Sequence, residues 1–306
     1  MAAMKKKIFL LLCSAALLMG TVIAFFLIEQ NPSEGRIVIG AKNITEQHLL
    51  SEMIAQLIES KTSLRVERQF TLEGSTICFY ALKTGSIDLY CEYTGTAWLY
   101  ILNRPFASSP GQMLSEIRTV YQERYGLLWL DPIGFNNTFV LVMQEALANK
   151  FQIESISSLA GAMQNGQAFK IGICPEFAAR PELELLQSRY PFKSSLHPQM
   201  MDQALLYLTL AKNSIDVITG CSTDSSLYGS GLRVLKDDLK CFPPYFVSPV
   251  VRQQTLSLYP ELRPIINQLA GMISEKTMQE LNFKVEKQKR SVESVAAEFL
   301  KVQQLL

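Results

Sequence analysis

The sequence predicts an α/β protein built as two lobes with mostly parallel sheets, preceded by an apolar N-terminal helix. Three observations carry that prediction. Strand-like segments alternate with helix-like ones, the alternation breaks at Asp131-Pro132-Ile133-Gly134 and restarts, and one stretch of the first half recurs in the second. Alternation of this kind favours parallel neighbours, because a parallel pair needs a crossover long enough to hold a helix. At about 100–200 residues per domain, a chain of 306 residues has room for two.

In chain order, Lys5-Lys6-Lys7 comes first, followed by 21 residues without a charge, Ile8 to Ile28. Positive residues ahead of an apolar run are the layout of a secretory signal. This run exceeds the usual signal core of about 7–15 residues and could cross a hydrocarbon layer of about 30 Å as a helix. Val22-Ile23-Ala24 is the nearest approach to a small-x-small cleavage triplet, and Leu12 before Cys13 is too large for a lipid-attachment site. A buried core helix is disfavoured by the flanking lysines and the lack of polar periodicity. The run is therefore expected to export the rest of the chain, and to anchor it in the membrane if left uncleaved.

Asn31-Pro32-Ser33-Glu34-Gly35 reads as a linker and Arg36 to Gly40 as a buried strand. Asn43, three residues before Glu46, suggests an N-cap with a capping-box acid. Leu49, Leu50, Met53, Ile54, Leu57 and Ile58 then recur at helical spacing, predicting a helix over residues 45–60. Leu64 to Arg68 alternates as a strand does, Gly74-Ser75-Thr76 opens a helix that should stop near Gly85, and Ile87 to Tyr90 is a short strand. In the second half, Thr138–Met143, Phe169–Cys174 and Ile215–Thr219 read as strands, and Pro181–Arg189 and Met200–Ala211 as helices. Pro243-Pro244 and Pro249 should break regular structure before a helical C-terminus, Leu262–Gly271 and then Lys276–Leu306 with interruptions.

The echo pairs Ser86-Ile87-Asp88 through Thr96 with Ser214-Ile215-Asp216 through Asp224, without a gap. Each copy reads as helix end, Ile-Asp, short strand and hydroxyl-rich turn. Either two like-built lobes each end a strand in a polar loop, or the similarity is chance. In open α/β sheets ligands bind beyond the carboxyl ends of strands, so two facing loops would form a cleft.

Composition excludes several functions. Apolar residues make up 48% and charged ones 19%, a globular rather than disordered balance. Without the three early lysines there are 26 basic side chains against 28 acidic, so no basic field suits nucleic acid. His48 and His197 have no metal-ligand spacing, and the six cysteines (Cys13, Cys78, Cys91, Cys174, Cys221, Cys241) contain no Cys-x-x-Cys, so neither a metal nor a disulfide framework is supported. Nucleophile elbows, phosphate loops and dinucleotide loops are missing, and no cofactor is expected. The acids Asp88 with Glu92, and Asp216 with Asp224, suit turn capping or surface roles better than catalysis. Loop aromatics beside hydroxyls stand out instead: Tyr93 before Thr94-Gly95-Thr96, Phe139 after Asn136-Asn137-Thr138, and Tyr245 after Pro243-Pro244. Aromatic faces attract cations, and a quaternary ammonium, which has no N–H to donate, is best recognised this way. Taken singly, each ring is more often core filling.

At these residues the chain resembles the substrate-binding proteins of ABC importers for glycine betaine, carnitine and choline. The resemblance runs from about Ile37 to Arg252. It is carried by Ile39-Gly40-Ala41-Lys42-Asn43-Ile44-Thr45-Glu46-Gln47, Glu92-Tyr93-Thr94-Gly95-Thr96 and Gly134-Phe135-Asn136-Asn137-Thr138-Phe139, then by Glu176 to Pro181, Ser222-Thr223-Asp224 and Phe242-Pro243-Pro244-Tyr245. It implies a type II periplasmic-binding-protein fold, with residues 36–137 and 246–306 as lobe one and 138–245 as lobe two. An aromatic box for a trimethylammonium group would fall on Tyr93, Phe139, Cys221 and Tyr245. Lys42 and Arg180 match positions for the ligand carboxylate or other polar contacts, Thr96 a wall beside the first Tyr, and Asn137 a polar position near Phe139; Gln47 is a further candidate. The expected partners are a betaine-type solute and an ABC permease, with the protein itself a monomer that neither binds nucleic acid nor catalyses a reaction. Two departures bear on substrate: Cys221 stands where an aromatic is common before Ser-Thr-Asp, and Phe139 replaces the usual Tyr. Cys91 also stands where Pro is frequent. A polar amino acid or other solute without a quaternary ammonium is the alternative ligand, and an exported enzyme using the cleft a third reading.

Overall fold

A computed structural model describes residues 35–106, 109–192 and 198–306. The apolar run 8–28 with Cys13, and also His197, lie outside the described residues; among those described, no helix is long and apolar enough to cross a membrane. Among the described residues, ten strands form two sheets: β1 Arg36–Lys42, β2 Arg65–Leu72, β3 Leu89–Tyr93, β4 Leu127–Trp129, β5 Phe139–Gln144, β6 Ile171–Ile173, β7 Gln199–Met200, β8 Val217–Cys221, β9 Leu232–Val234 and β10 Val247–Arg252. One sheet has the order β2-β1-β3-β10-β4 and the other β7-β6-β8-β5-β9. The first thus takes four strands from before residue 130 and one from after residue 246, whereas the second is contiguous.

The sheets are mixed rather than mostly parallel. β1 runs parallel to β2 and β3, and β6 parallel to β7 and β8, but β10 is antiparallel to β3 and β4, and β5 to β8 and β9. The physical reason is the route of the chain. β5 and β10 are entered from the other sheet, so they start where β3 and β8 end. Pro249, expected to break regular structure, lies inside β10 opposite Cys91. A proline removes one ladder hydrogen bond. Here its carbonyl accepts from the Leu130 N–H (2.9 Å), while the Leu130 carbonyl is served at 3.0 Å by the Arg118 guanidinium.

Side-chain alternation along β1 distributes the first sheet between two cores. Ile37 and Ile39 pack with Leu50, Met53 and Leu57 of the Thr45–Lys61 helix and with Val295 and Phe299 of the Val292–Val302 helix; Val38 packs with Phe79, Ile117 and Trp129 on the other face. The second sheet has its own core around Leu141, Ile156, Phe177 and Val217. Helix Gly74–Thr84 ends, as its sequence suggests, on a left-handed Gly85, and Pro181–Arg189 is a helix with Pro181 in its first turn. Helices Pro110–Tyr125, Glu145–Phe151 and Ile156–Gln164, with strands β4 and β9, carry no sequence signal singled out above. Cys78, Cys91, Cys174, Cys221 and Cys241 are free thiols.

The internal echo is structural. Asp88 and Asp216 each accept a backbone N–H with Oδ2, from Val38 (2.9 Å) and Lys170 (2.8 Å), and each returns its own N–H to that residue's carbonyl. Ser86 and Ile87 donate to Ala81 as Ser214 and Ile215 donate to Thr209. The same device therefore fixes the entry of β3 and of β8.

Candidate functional site

The chain passes between the sheets twice, between Trp129 and Phe139 and between Val234 and Val247, and the two crossings lie side by side. Asn137 N–H donates to the Tyr245 carbonyl (3.1 Å), the Asn136 side chain accepts from Tyr245 N–H (2.6 Å), and Thr138 Oγ1 donates to the Pro243 carbonyl (3.1 Å). Pro243 and Pro244 have no N–H to donate and take part in this seam only as acceptors, their carbonyls receiving the Thr138 and Thr94 hydroxyls. At its end, where β3 and β8 finish and β5 and β10 begin, lies a cavity of about 380 Å³. Eight of the nine residues expected of the site line it: Lys42, Tyr93, Thr96, Asn137, Phe139, Arg180, Cys221 and Tyr245. Gln47 does not; it is fully buried, with neither side-chain amide atom hydrogen-bonded to any of the described residues. Asn43, Ile44, Glu73, Gly74, Ser75 and Glu176 complete the lining, and Glu73 and Ser75 come from the start of the second helix.

Each residue of Glu92-Tyr93-Thr94-Gly95-Thr96 has its own task. Glu92 is fully buried rather than at the surface, and it pairs with Lys42 at 2.6 Å. Its oxygens also accept from the Tyr93 N–H (2.8 Å) and the Tyr90 hydroxyl (3.2 Å), and Lys42 reaches Ser75 Oγ at 3.1 Å. Tyr93 shows a ring to the cavity, with Lys42 Nζ 4.4 Å from its centroid. Thr94 clamps the second crossing, donating from Oγ1 to the Pro244 carbonyl and accepting from Phe246 N–H, both at 3.0 Å. Gly95 admits the Tyr245 ring, since a Cβ there would stand 2.5 Å from Tyr245 Cε1. Thr96 faces the cavity. The glycine opening the next motif, Gly134, has φ 137° and lies where a Cβ would meet the Ile273 carbonyl at 2.7 Å.

From the second sheet, Phe139 and Cys221 are cross-strand partners. Phe139 stacks edge-on against Phe177 (5.0 Å between centroids) and meets Tyr245 at 83°. The Tyr245 hydroxyl donates to Glu182, a fully buried carboxylate that sequence reading passes over. Burial, then Glu182, pushes the Tyr245 phenol up; burial, then Asp224, pushes the Cys221 thiol up, so both stay protonated. Asp224 caps the turn as expected, accepting from Cys221 N–H at 2.9 Å.

Glu46 corrects the capping-box expectation. The N-cap position is Ile44, no side chain caps the helix, and Glu46 instead turns inward. It accepts from the Tyr93 hydroxyl (2.5 Å), Asn137 Nδ2 (2.9 Å) and Asn282 Nδ2 (3.4 Å), joining the first helix, a crossing and the Glu275–Glu286 helix beneath the cavity. Burial raises its pKa above the ordinary 4.5, against the lowering effect of these donors. The folded protein then holds this proton to a higher pH than the unfolded chain. The carboxyl's contribution is fullest below pH 4.5 and is lost as pH rises through the folded value. Urea titrations should show the wild type losing stability relative to Glu46→Gln as pH rises from 4.5 to neutrality; a constant difference between the two proteins would dismiss the assignment.

Two sheets joined by paired crossings over a polar, aromatic cleft define the type II periplasmic-binding-protein fold of solute receptors. The crystal structure of a glycine betaine/carnitine/choline ABC transporter superposes with TM-score 0.80 at 28% identity, covering 88% of this chain and 99% of that one. The family described as the substrate-binding domain of the ABC-type glycine betaine transport system matches residues 35–302, and the chain belongs to it. Its members are transport components that bind a small solute outside the cytoplasm. The ergothioneine transport permease/ergothioneine binding protein of Helicobacter pylori is 36% identical over 281 residues, and those residues span 90% of this chain but only about half (49%) of that relative. A glycine-betaine-binding protein of Pseudomonas aeruginosa is 34% identical, covering 88% of each chain.

Proposed function

We propose that this protein captures a betaine-type quaternary ammonium solute in the cleft and delivers it to an ABC permease. The observation that carries the reading is the convergence of Tyr93, Phe139 and Tyr245, from both sheets and a crossing, on one cavity that also holds Lys42 and Arg180. The rings suit the trimethylammonium group and the two cations a carboxylate. Residues 36–137 with 246–306 act as one lobe and 138–245 as the other, turning about the seam at Asn137 and Tyr245. A solute touching both lobes only when they are shut stabilises the closed form, which docks on the permease. The reading gives the protein no catalytic step, keeps it monomeric and assigns the run 8–28 to export or anchoring. Glycine betaine, carnitine and ergothioneine, bound by relatives, are the first candidates.

Cys221 favours a second reading, because the position beside Phe139 on the same wall holds a thiol and no ring. A polar amino acid without a quaternary ammonium would need fewer aromatic faces. Calorimetry on residues 30–306 with those three betaines, choline and an amino-acid panel separates the two. At least one quaternary ammonium should bind more tightly than every amino acid, and the reverse order rejects the proposal. In the same assay Gly95→Ala should weaken binding about tenfold by pushing the Tyr245 ring off its seat. Unchanged affinity would take Tyr245 out of the wall.

A further inference from the structure

One face of Tyr93 and one of Phe139 already carry a cation supplied by the chain. Lys42 Nζ stands 4.4 Å from the Tyr93 centroid. The Arg180 guanidinium carbon stands 5.2 Å from the Phe139 centroid and 5.1 Å from that of Tyr100. The two cations differ in how firmly they are held. Lys42 answers a fully buried carboxylate, Glu92, so moving it would strand a charge in the interior. Arg180 pairs with Glu176, whose side chain is 66% exposed and can follow it or be hydrated, and its bonds to the Tyr100 and Tyr245 hydroxyls are long, 3.4 Å each. Arg180 also spans the cleft. It precedes the Pro181–Arg189 helix of the second half, while Tyr100 follows β3 of the first.

We propose that Arg180 is a displaceable internal cation that makes the cleft select betaines over quaternary ammonium ions lacking a carboxylate. This rests on the reading of the cleft as a quaternary-ammonium site. A trimethylammonium group takes the Phe139 face, and the guanidinium leaves it and the Tyr100 ring. With a betaine, the released guanidinium forms a charge-assisted bidentate contact with the ligand carboxylate, which offsets the lost ring contacts. With a bare cation it gains nothing, and two positive charges are left side by side. An arginine that merely contacted a carboxylate, clear of the ring, would oppose such a cation only through charge repulsion, which salt screens. Exchange makes Arg180 its competitor.

The test is calorimetry with tetramethylammonium and with whichever of glycine betaine, carnitine and ergothioneine the wild type binds most tightly, on wild type, Arg180→Ala and Arg180→Gln. The neutral variants should bind tetramethylammonium about threefold or more tightly than wild type at low salt and at about 1 M salt alike, where charge repulsion is screened, and the betaine about tenfold or more weakly. A gain confined to low salt is repulsion alone and overturns the proposal. Tetramethylammonium affinity unchanged or reduced in both variants overturns the proposal. With the betaine weakened, Arg180 is then a carboxylate contact alone; with the betaine unaffected, it has no part in binding. A wild type that binds no betaine fails at the earlier step, taking the quaternary-ammonium reading and this proposal together.

Discussion

Lys42→Met should destabilise the protein by about 3–5 kcal/mol, because it leaves Glu92 charged, fully buried and without its counter-ion. The ion pair itself need not stabilise the fold, since desolvating two charges offsets much of their attraction. The large cost comes from removing one partner. Adding Glu92→Gln to Lys42→Met should therefore recover most of the loss, because the glutamine is uncharged, its Oε1 still accepts from the Tyr93 N–H, and its Nε2 can donate to the Tyr90 hydroxyl oxygen. Urea denaturation of the wild type, both single variants and the double variant closes the cycle. A cost for Lys42→Met below about 1 kcal/mol, the ordinary range of exposed pairs, would show that water reaches Glu92.

Tyr93→Ala should weaken binding of the cognate betaine about 30-fold, the equivalent of one desolvated cation–π contact of about 2 kcal/mol. The same change removes the hydroxyl donor at 2.5 Å from Glu46, so stability falls as well. Tyr93→Phe separates these effects. It keeps the face and should hold affinity within about threefold, while still stripping Glu46 of its shortest hydrogen bond. If Tyr93→Phe weakens binding as much as Tyr93→Ala, the ligand reads the hydroxyl network rather than the ring.

How much of this could be read from the residues depended on whether the signal was local. Helical spacing from Leu49 to Ile58 and the stop at Gly85 are properties of adjacent residues, and both elements appear where expected. The echo of Ile87-Asp88 in Ile215-Asp216 survives because each aspartate bonds a backbone only one strand away. The mixed sheets did not show, because β10 owes its direction to a crossing, and a proline inside a strand mimics a break. Glu46 looked like a cap because Asn43 lies at the right spacing; its real partners, Asn137 and Asn282, lie 91 and 236 residues away. Glu92 reads as a turn-capping or surface acid, and Glu182 carries no signal in the sequence. Charged residues are seldom buried without a partner, and neither partner is adjacent in sequence. Eight cleft residues were placed by family motifs, and Gln47, from the same motif as Lys42, sits one layer too deep.

The path of β10 also sets an order of assembly. The first sheet needs a strand that begins at Val247, whereas every strand of the second lies between Phe139 and Val234. As the polypeptide emerges from its N-terminal end, the region made first must hold an unfilled gap between β3 and β4 until some 250 residues are out. The later-made half can condense before it, so the half completed last is the one synthesis begins.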